Sequence, residues 1–168
     1  DQYDAVVSSF GMHHVPRPAM ALAECRRVLV PGGVVGFTVW ATPAENIAWK
    51  LIFDTIDRHG DRSAAKAFPP AGALNQIDQC VRGLEGAGFA EVTGEIARAT
   101  WILPDAQALV SALSAGTVRM AALLGAQTPR ALSDIVADIE REAERYRCDG
   151  GLALPIAAVL ASGRKPVR

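Results

Sequence analysis

Two serines and two histidines lie close together near the start of the chain. Ser8-Ser9 closes the short apolar run Ala5-Val6-Val7, and His13-His14 follows within the turn-rich stretch from Gly11 to Pro18. Histidine titrates near neutrality, so one placed at the rim of a sheet can orient a substrate hydroxyl or accept its proton. A short side chain such as Ser9 leaves room for a ligand close to the backbone. The plainer alternative is that the serines only end a strand and the histidines only cap the loop by hydrogen bonding. Trp40 closes a second apolar run and is a candidate for a substrate pocket or for the core. Trp49, Phe68 and Trp101 are candidates for an apolar lid, with helix packing as the default. His59 is expected to be a solvated residue at a helix end. Asp138, Glu140, Glu142 and Glu144 are expected to form the solvated face of an amphipathic helix, and no metal is assigned to them.

These residues need elements to position them. Ala5–Ser9 and Val34–Trp40 are nearly continuous apolar runs, which suits strands covered on both faces. Between them Leu22, Cys25, Val28 and Leu29 recur at helical spacing, with Pro18 in the first turn and Pro31-Gly32-Gly33 as the expected stop. Thr42-Pro43-Ala44-Glu45 is expected to start the next helix as a capping box. Its apolar face is Ile47, Leu51, Ile52 and Ile56, and Gly60 is its stop. Residues 60–74 read as an irregular loop. Asn75 is expected to cap a helix carrying Ile77, Cys80, Val81 and Leu84. A strand follows from Phe89 to Leu103. Residues 105–147 read as helical, broken near Gly116 and at Thr128-Pro129, and Leu152–Ala161 is a last apolar strand. Strands alternating with helices predict an α/β sheet with helices on its faces.

Composition narrows the partners. The chain has 168 residues, half of them apolar, and a formal charge of -1. That balance gives no general attraction to nucleic acid or an anionic membrane. No stretch approaches the roughly 20 apolar residues of a membrane-spanning helix. Cys25, Cys80 and Cys148 form no Cys-x-x-Cys pair, so neither a zinc knuckle nor a redox motif is expected. Free cysteines of this kind suit a reducing cytoplasm.

The stretch from Tyr3 to Trp40 carries a resemblance. Asp4, His13-His14, Arg27-Val28-Leu29 and Pro31-Gly32-Gly33, in that order and spacing, resemble the fourth and fifth strands of class I S-adenosylmethionine-dependent methyltransferases, of the methyltransferase type 11-like kind. Gly88-Phe89 before a strand and an apolar strand at the C-terminus fit the remainder. Trp101-x-Leu103-Pro104-Asp105, Gly116-Thr117-Val118-Arg119 and Val159–Gly163 are similar to a bacterial subgroup of small-molecule methyltransferases. The resemblance implies a partial Rossmann-like α/β sheet, the family's fourth to seventh strands with the last antiparallel. Flanking helices and a helical insert over about 105–148 complete a single incomplete domain of residues 1–168. It implies that Ser8, Ser9, Phe10, Gly11 and His14 line an S-adenosylmethionine pocket. His13 falls on the side of a small-molecule acceptor as the catalytic candidate, with Trp40 lining the acceptor.

Two departures accompany it. Arg17 stands where relatives carry Asp, which loses a helix cap. More consequentially, the acidic residue followed by Gly-x-Gly-x-Gly that holds the cofactor in the family is not found in these residues. Together with Asp1 at the first position, this leads to the expectation of a C-terminal part, with three strand–helix units, roughly 90 residues, encoded ahead of it. In the family's sheet the fourth strand pairs with the first. Without it Ala5–Ser9 becomes an open edge, so self-association through that strand is expected. The alternative to an enzyme is a methyltransferase-like remnant that acts as an interaction module and binds no cofactor by itself.

Overall fold

The computed structural model describes residues 2–65 and 74–167. In chain order these form β1 (Tyr3–Ser9), α1 (Pro18–Val28), β2 (Leu29–Trp40), α2 (Ile47–His59), α3 (Ile77–Gly86) and β3 (Ala90–Leu103). The order continues with α4 (Ala106–Gly116), α5 (Val118–Gly125), α6 (Pro129–Ala143), β4 (Arg147–Cys148) and β5 (Gly151–Arg164). The strands make an open sheet in the order β1-β2-β5-β3, with β4 beside β5. The chain divides into two compact units. One comprises Asp1–Thr42, Pro69–Arg98 and Ala157–Arg168; the other comprises Pro43–Phe68 and Ala99–Ile156.

The first unit is built on β2. Alternate residues Val35, Phe37 and Val39 are buried while Val34, Gly36, Thr38 and Trp40 are half-buried, the two-residue period of a strand. β1 runs parallel to β2, with Ala5 opposite Val34 and Ser9 opposite Thr38. β5 runs antiparallel on the other side, with Trp40 opposite Ala158. The antiparallel direction of this last strand is the one the family resemblance implies. Leu22 of α1, Cys80 and Leu84 of α3, and Phe89 pack on the buried side chains of β2. Burial pushes the Cys80 thiol up to about 11, as expected of a small buried hydrophobe.

The start of β2 corrects the expected helix stop. α1 ends at Val28, where the Leu29 N–H returns to the Cys25 carbonyl, so Pro31-Gly32-Gly33 does not terminate it. Those residues lie instead in a bulge, where the register jumps from Tyr3↔Leu29 to Ala5↔Val34. Gly33 is required there, because a Cβ would stand 2.9 Å from the Val30 carbonyl and 3.0 Å from that of Asp4. At the other end of α1, Arg17 occupies the N-cap and makes no side-chain cap bond, as its side chain predicts.

In the second unit Leu51, Ile52 and Ile56 of α2 meet Leu109 and Leu113 of α4, Leu124 of α5, and Ile135 and Ile139 of α6. The breaks foreseen in the helical stretch are capped: Thr117 accepts from the Met120 N–H and Thr128 from the Ala131 N–H, each at 3.2 Å. The Thr42–Glu45 capping box does not form. Residues 43–45 make a turn, and the helix begins at Ile47 behind Asn46, whose N–H bonds the Pro43 carbonyl and which is fully buried. The cap expected from Asn75 also moves by one residue, to Gln76, while the Asn75 N–H donates to Gln79 Oε1 at 3.1 Å. Much of the loop expected over 60–74 lies outside the described residues.

Candidate functional site

β1 and β2 are parallel neighbours, so their carboxyl ends share one rim of the sheet in the first unit. Ligands in open α/β sheets gather beyond such ends. Every residue singled out between Ser8 and His14, together with Trp40, lies at or just past this rim. Ser8 is half-buried and Ser9 exposed. Phe10 then takes φ +51°, in the left-handed region, which bulky residues seldom adopt. Its N–H donates to both the carbonyl oxygen and Oγ1 of Thr38, each at 3.1 Å. Gly11 follows with exposed backbone; a Cβ there would stand 2.9 Å from Ser8 Oγ.

Met12–His14 form a single 3₁₀ turn closed by the His14 N–H on the Gly11 carbonyl at 3.0 Å. Met12 anchors the turn in the core, while His13 is half-buried and His14 exposed. The two imidazole rings lie 3.9 Å apart. Trp40, at the end of β2, stacks on Phe10 with ring centroids 4.3 Å apart. A serine pair, an imidazole pair and an aromatic pair thus share one rim. Thr38, which ties the two strand ends together, was not foreseen. The signal for it is its position two residues before Trp40, on the same face of β2.

Other expected residues lie elsewhere. Phe68 is outside the described residues. Trp49 stacks near Phe53, and Trp101 packs against the second unit's core. His59 is not a free helix end: its Nε2 lies 2.7 Å from Asp138 Oδ2. Asp138 does not belong to a solvated face. Its side chain is 2% exposed and also meets Arg58 at 3.1 Å and Arg141. Two guanidinium groups and an imidazole converge on it, which is what allows a carboxylate to be buried there. The second unit also has a cleft of about 540 Å³ between α2 and α6. Several of its charges pair with one another, Lys50 with Asp54 and Arg58 with Glu142.

Parallel strands joined through a helix, with an antiparallel strand beside them, make an open α/β sheet of the Rossmann-like kind. A proposed methyltransferase of Bacillus halodurans C-125 matches with TM-score 0.57 at 21% identity, over 98% of this chain and 65% of that one. The YcgJ protein of Bacillus subtilis matches with TM-score 0.54 at 11% identity, over 99% and 65%. Residues 1–37 match the family model of the methyltransferase domain. Uncharacterized methyltransferases of Mycobacterium tuberculosis and Mycobacterium bovis are 28% identical over 90 residues, 49% of this chain and 46% of each relative. The chain spans about half the length of these curated relatives. The family match, the relatives and the fold likeness all point to methyltransferases.

The nearest approach to the family's glycine motif in these residues, Glu85-Gly86-Ala87-Gly88, ends α3 and leads into β3. That is the reverse of the strand-to-helix order in which such a loop cradles a ligand.

Proposed function

We propose that this chain forms one side of an S-adenosylmethionine-dependent methyltransferase that acts on a small molecule. The observation that carries the reading is the convergence of Ser8–His14 and Trp40 on the rim shared by two parallel strand ends. The residues fit one wall of a cofactor site: Ser9 and Gly11 are small and exposed, and the backbone between them is held in an unusual conformation. Ser8, Ser9, Phe10, Gly11 and His14 would hold the cofactor, which when bound supplies an activated methyl group. The protein's own work is then to align the acceptor and to exclude water. His13, half-buried beside His14, orients an acceptor hydroxyl or takes its proton, and Trp40 lines the acceptor.

The test is calorimetric titration with S-adenosylhomocysteine of the longest protein encoded by this reading frame. Micromolar binding is expected, and His13→Ala is expected to lower turnover more than it weakens that binding. Absence of binding overturns the reading.

One observation favours a second reading, a non-catalytic module that pairs with a second copy through β1. Among the described residues β1 ends the sheet, with Val7 80% and Tyr3 54% exposed. Exposed apolar edges of this kind promote strand pairing. Sedimentation would then give a dimer that Val7→Lys converts to monomer; a monomer before substitution removes this reading.

A further inference from the structure

We propose that the cleft between α2 and α6 in the second unit binds a small organic carboxylate, with Arg145 holding the charged head and Ile47 and Leu51 facing the apolar body. None of these residues lies on the rim between β1 and β2, and the site stands or falls apart from the methyltransferase reading.

The cleft exists because α6 stops before it has covered α2. Arg58, near the end of α2, meets Asp138 and Glu142 of α6, while the start of α2 lies toward Arg145. The two helices therefore run in opposite directions. α6 closes at Ala143, and the chain passes through the 3₁₀ turn Glu144–Tyr146 into β4. Ile47, Lys50 and Leu51, in the first turns of α2, are left without α6 beside them. The cavity that results is about 540 Å³, a volume common among small-molecule sites. Leu51 is buried at its base and Ile47 half-buried, so the floor is apolar.

The walls carry three acidic and three basic side chains. All three carboxylates are engaged: Asp54 with Lys50, Glu142 with Arg58, and Asp57 with Arg62 from outside the cleft. Lys50 and Arg58 are thereby matched, and Arg145 is left over. Among the described residues it pairs with no carboxylate, whereas Arg141 and Arg147 on either side pair with Asp138 and with Glu140 and Glu144. Its guanidinium lies instead over the Tyr146 ring, 4.9 Å from the centroid. Such a contact holds a cation in place without neutralising it. A guanidinium so held matches a planar carboxylate through two parallel N–H donors. The acidic groups nearby repel a doubly charged head more than a singly charged one.

The test is an amide-resolved NMR titration of the 168-residue chain with hexanoate, hexanamide and acetate. Hexanoate is expected to shift amides within 47–54 and 142–146. It is expected to bind about threefold more tightly than hexanamide, the worth of one exposed charge pair. Over acetate it is expected to gain about fourfold, the worth of about one methylene leaving water. Arg145→Gln is expected to remove the preference over hexanamide and to keep that over acetate. Arg130→Gln, at an exposed arginine of α6 that does not line the cleft, is expected to change neither. Equal binding of hexanoate and hexanamide overturns the proposal, as does tighter binding of hexylammonium or of hexyl phosphate. So does a preference that survives Arg145→Gln, or amide shifts confined to other regions. Arg145 is exposed, and thermal melts verify that its variant folds; if it does not, the ranking of the probes on the unsubstituted chain decides. Failure of S-adenosylhomocysteine to bind leaves this site standing, and failure of hexanoate to bind leaves the methyltransferase reading standing.

Discussion

The two units use their polar residues in opposite ways. In the first, Ser9 and His14 stay exposed on the rim of the sheet beside the half-buried Phe10–Trp40 stack, and hydrogen bonds there hold backbone rather than bury charge. In the second, the conspicuous polar groups face inward and are satisfied. Asp138 is enclosed by His59, Arg58 and Arg141, and Gln127 donates to the Asp61 and Leu123 carbonyls. A cluster of acidic, basic and imidazole groups therefore marks a structural lock in one region, while a sparser set marks the candidate site in the other. Availability, rather than the density of titratable groups, distinguishes them.

Substitutions can break this contrast or sharpen it. The largest effect is expected in the second unit's core. Ile139→Ala removes a fully buried side chain between helices and is expected to cost about 3 kcal/mol, read from denaturant melts. Asp138→Ala is expected next, at about 2 kcal/mol. It removes charged hydrogen bonds, but the partners it releases, Arg58, Arg141 and His59, are 32–69% exposed and regain water. At the rim, Trp40→Leu is expected to cost about 1 kcal/mol, mainly its stacking. His14→Ala is expected to fall within about 0.5 kcal/mol, as exposed positions do. If the rim substitutions destabilise as much as Asp138→Ala, the distinction between lock and site fails.

The smallest expected effect is one of acidity. The Ala106 N–H, bonded at 3.0 Å, and then Arg147 hold the Glu140 carboxyl below its usual range. A depressed carboxyl contributes stability above its unfolded pKa and loses it as pH falls through the folded value. Wild-type stability should therefore decline on acidification through and below the ordinary carboxylate range, and Glu140→Gln should flatten that slope. An unchanged slope would show that the tie to Ala106 does not act on stability.

Elements with strong periodicity were legible from residue order alone. The β1–α1–β2 unit, the helical breaks near Gly116 and at Thr128-Pro129, and the Gly60 stop all lie where pattern and punctuation put them. Failures occurred where a local rule met a competing contact. Pro31-Gly32-Gly33 looked like a helix stop because proline and glycine usually are, yet their place is set by strand register. Thr42-Pro43 looked like a helix start, but the buried Asn46 draws the first turn forward.

For the site, the run Ser8–His14 and Trp40 could be named from sequence because both follow apolar strands. Their stacking could not, since it depends on the sign of one backbone angle at Phe10. The pairing of His59 with Asp138 was equally hidden, because 79 positions of chain separate them and only packed helices bring them together.

The bulge at the start of β2 has an evolutionary consequence. It takes up surplus residues at the end of the strand opposite Trp40, before the regular ladder from Ala5↔Val34 to Ser9↔Thr38 begins. The α1–β2 junction can therefore gain or lose a residue without sliding Ser9 against Thr38. A change in loop length is absorbed at one end of the strand, and the candidate site at the other end keeps its alignment.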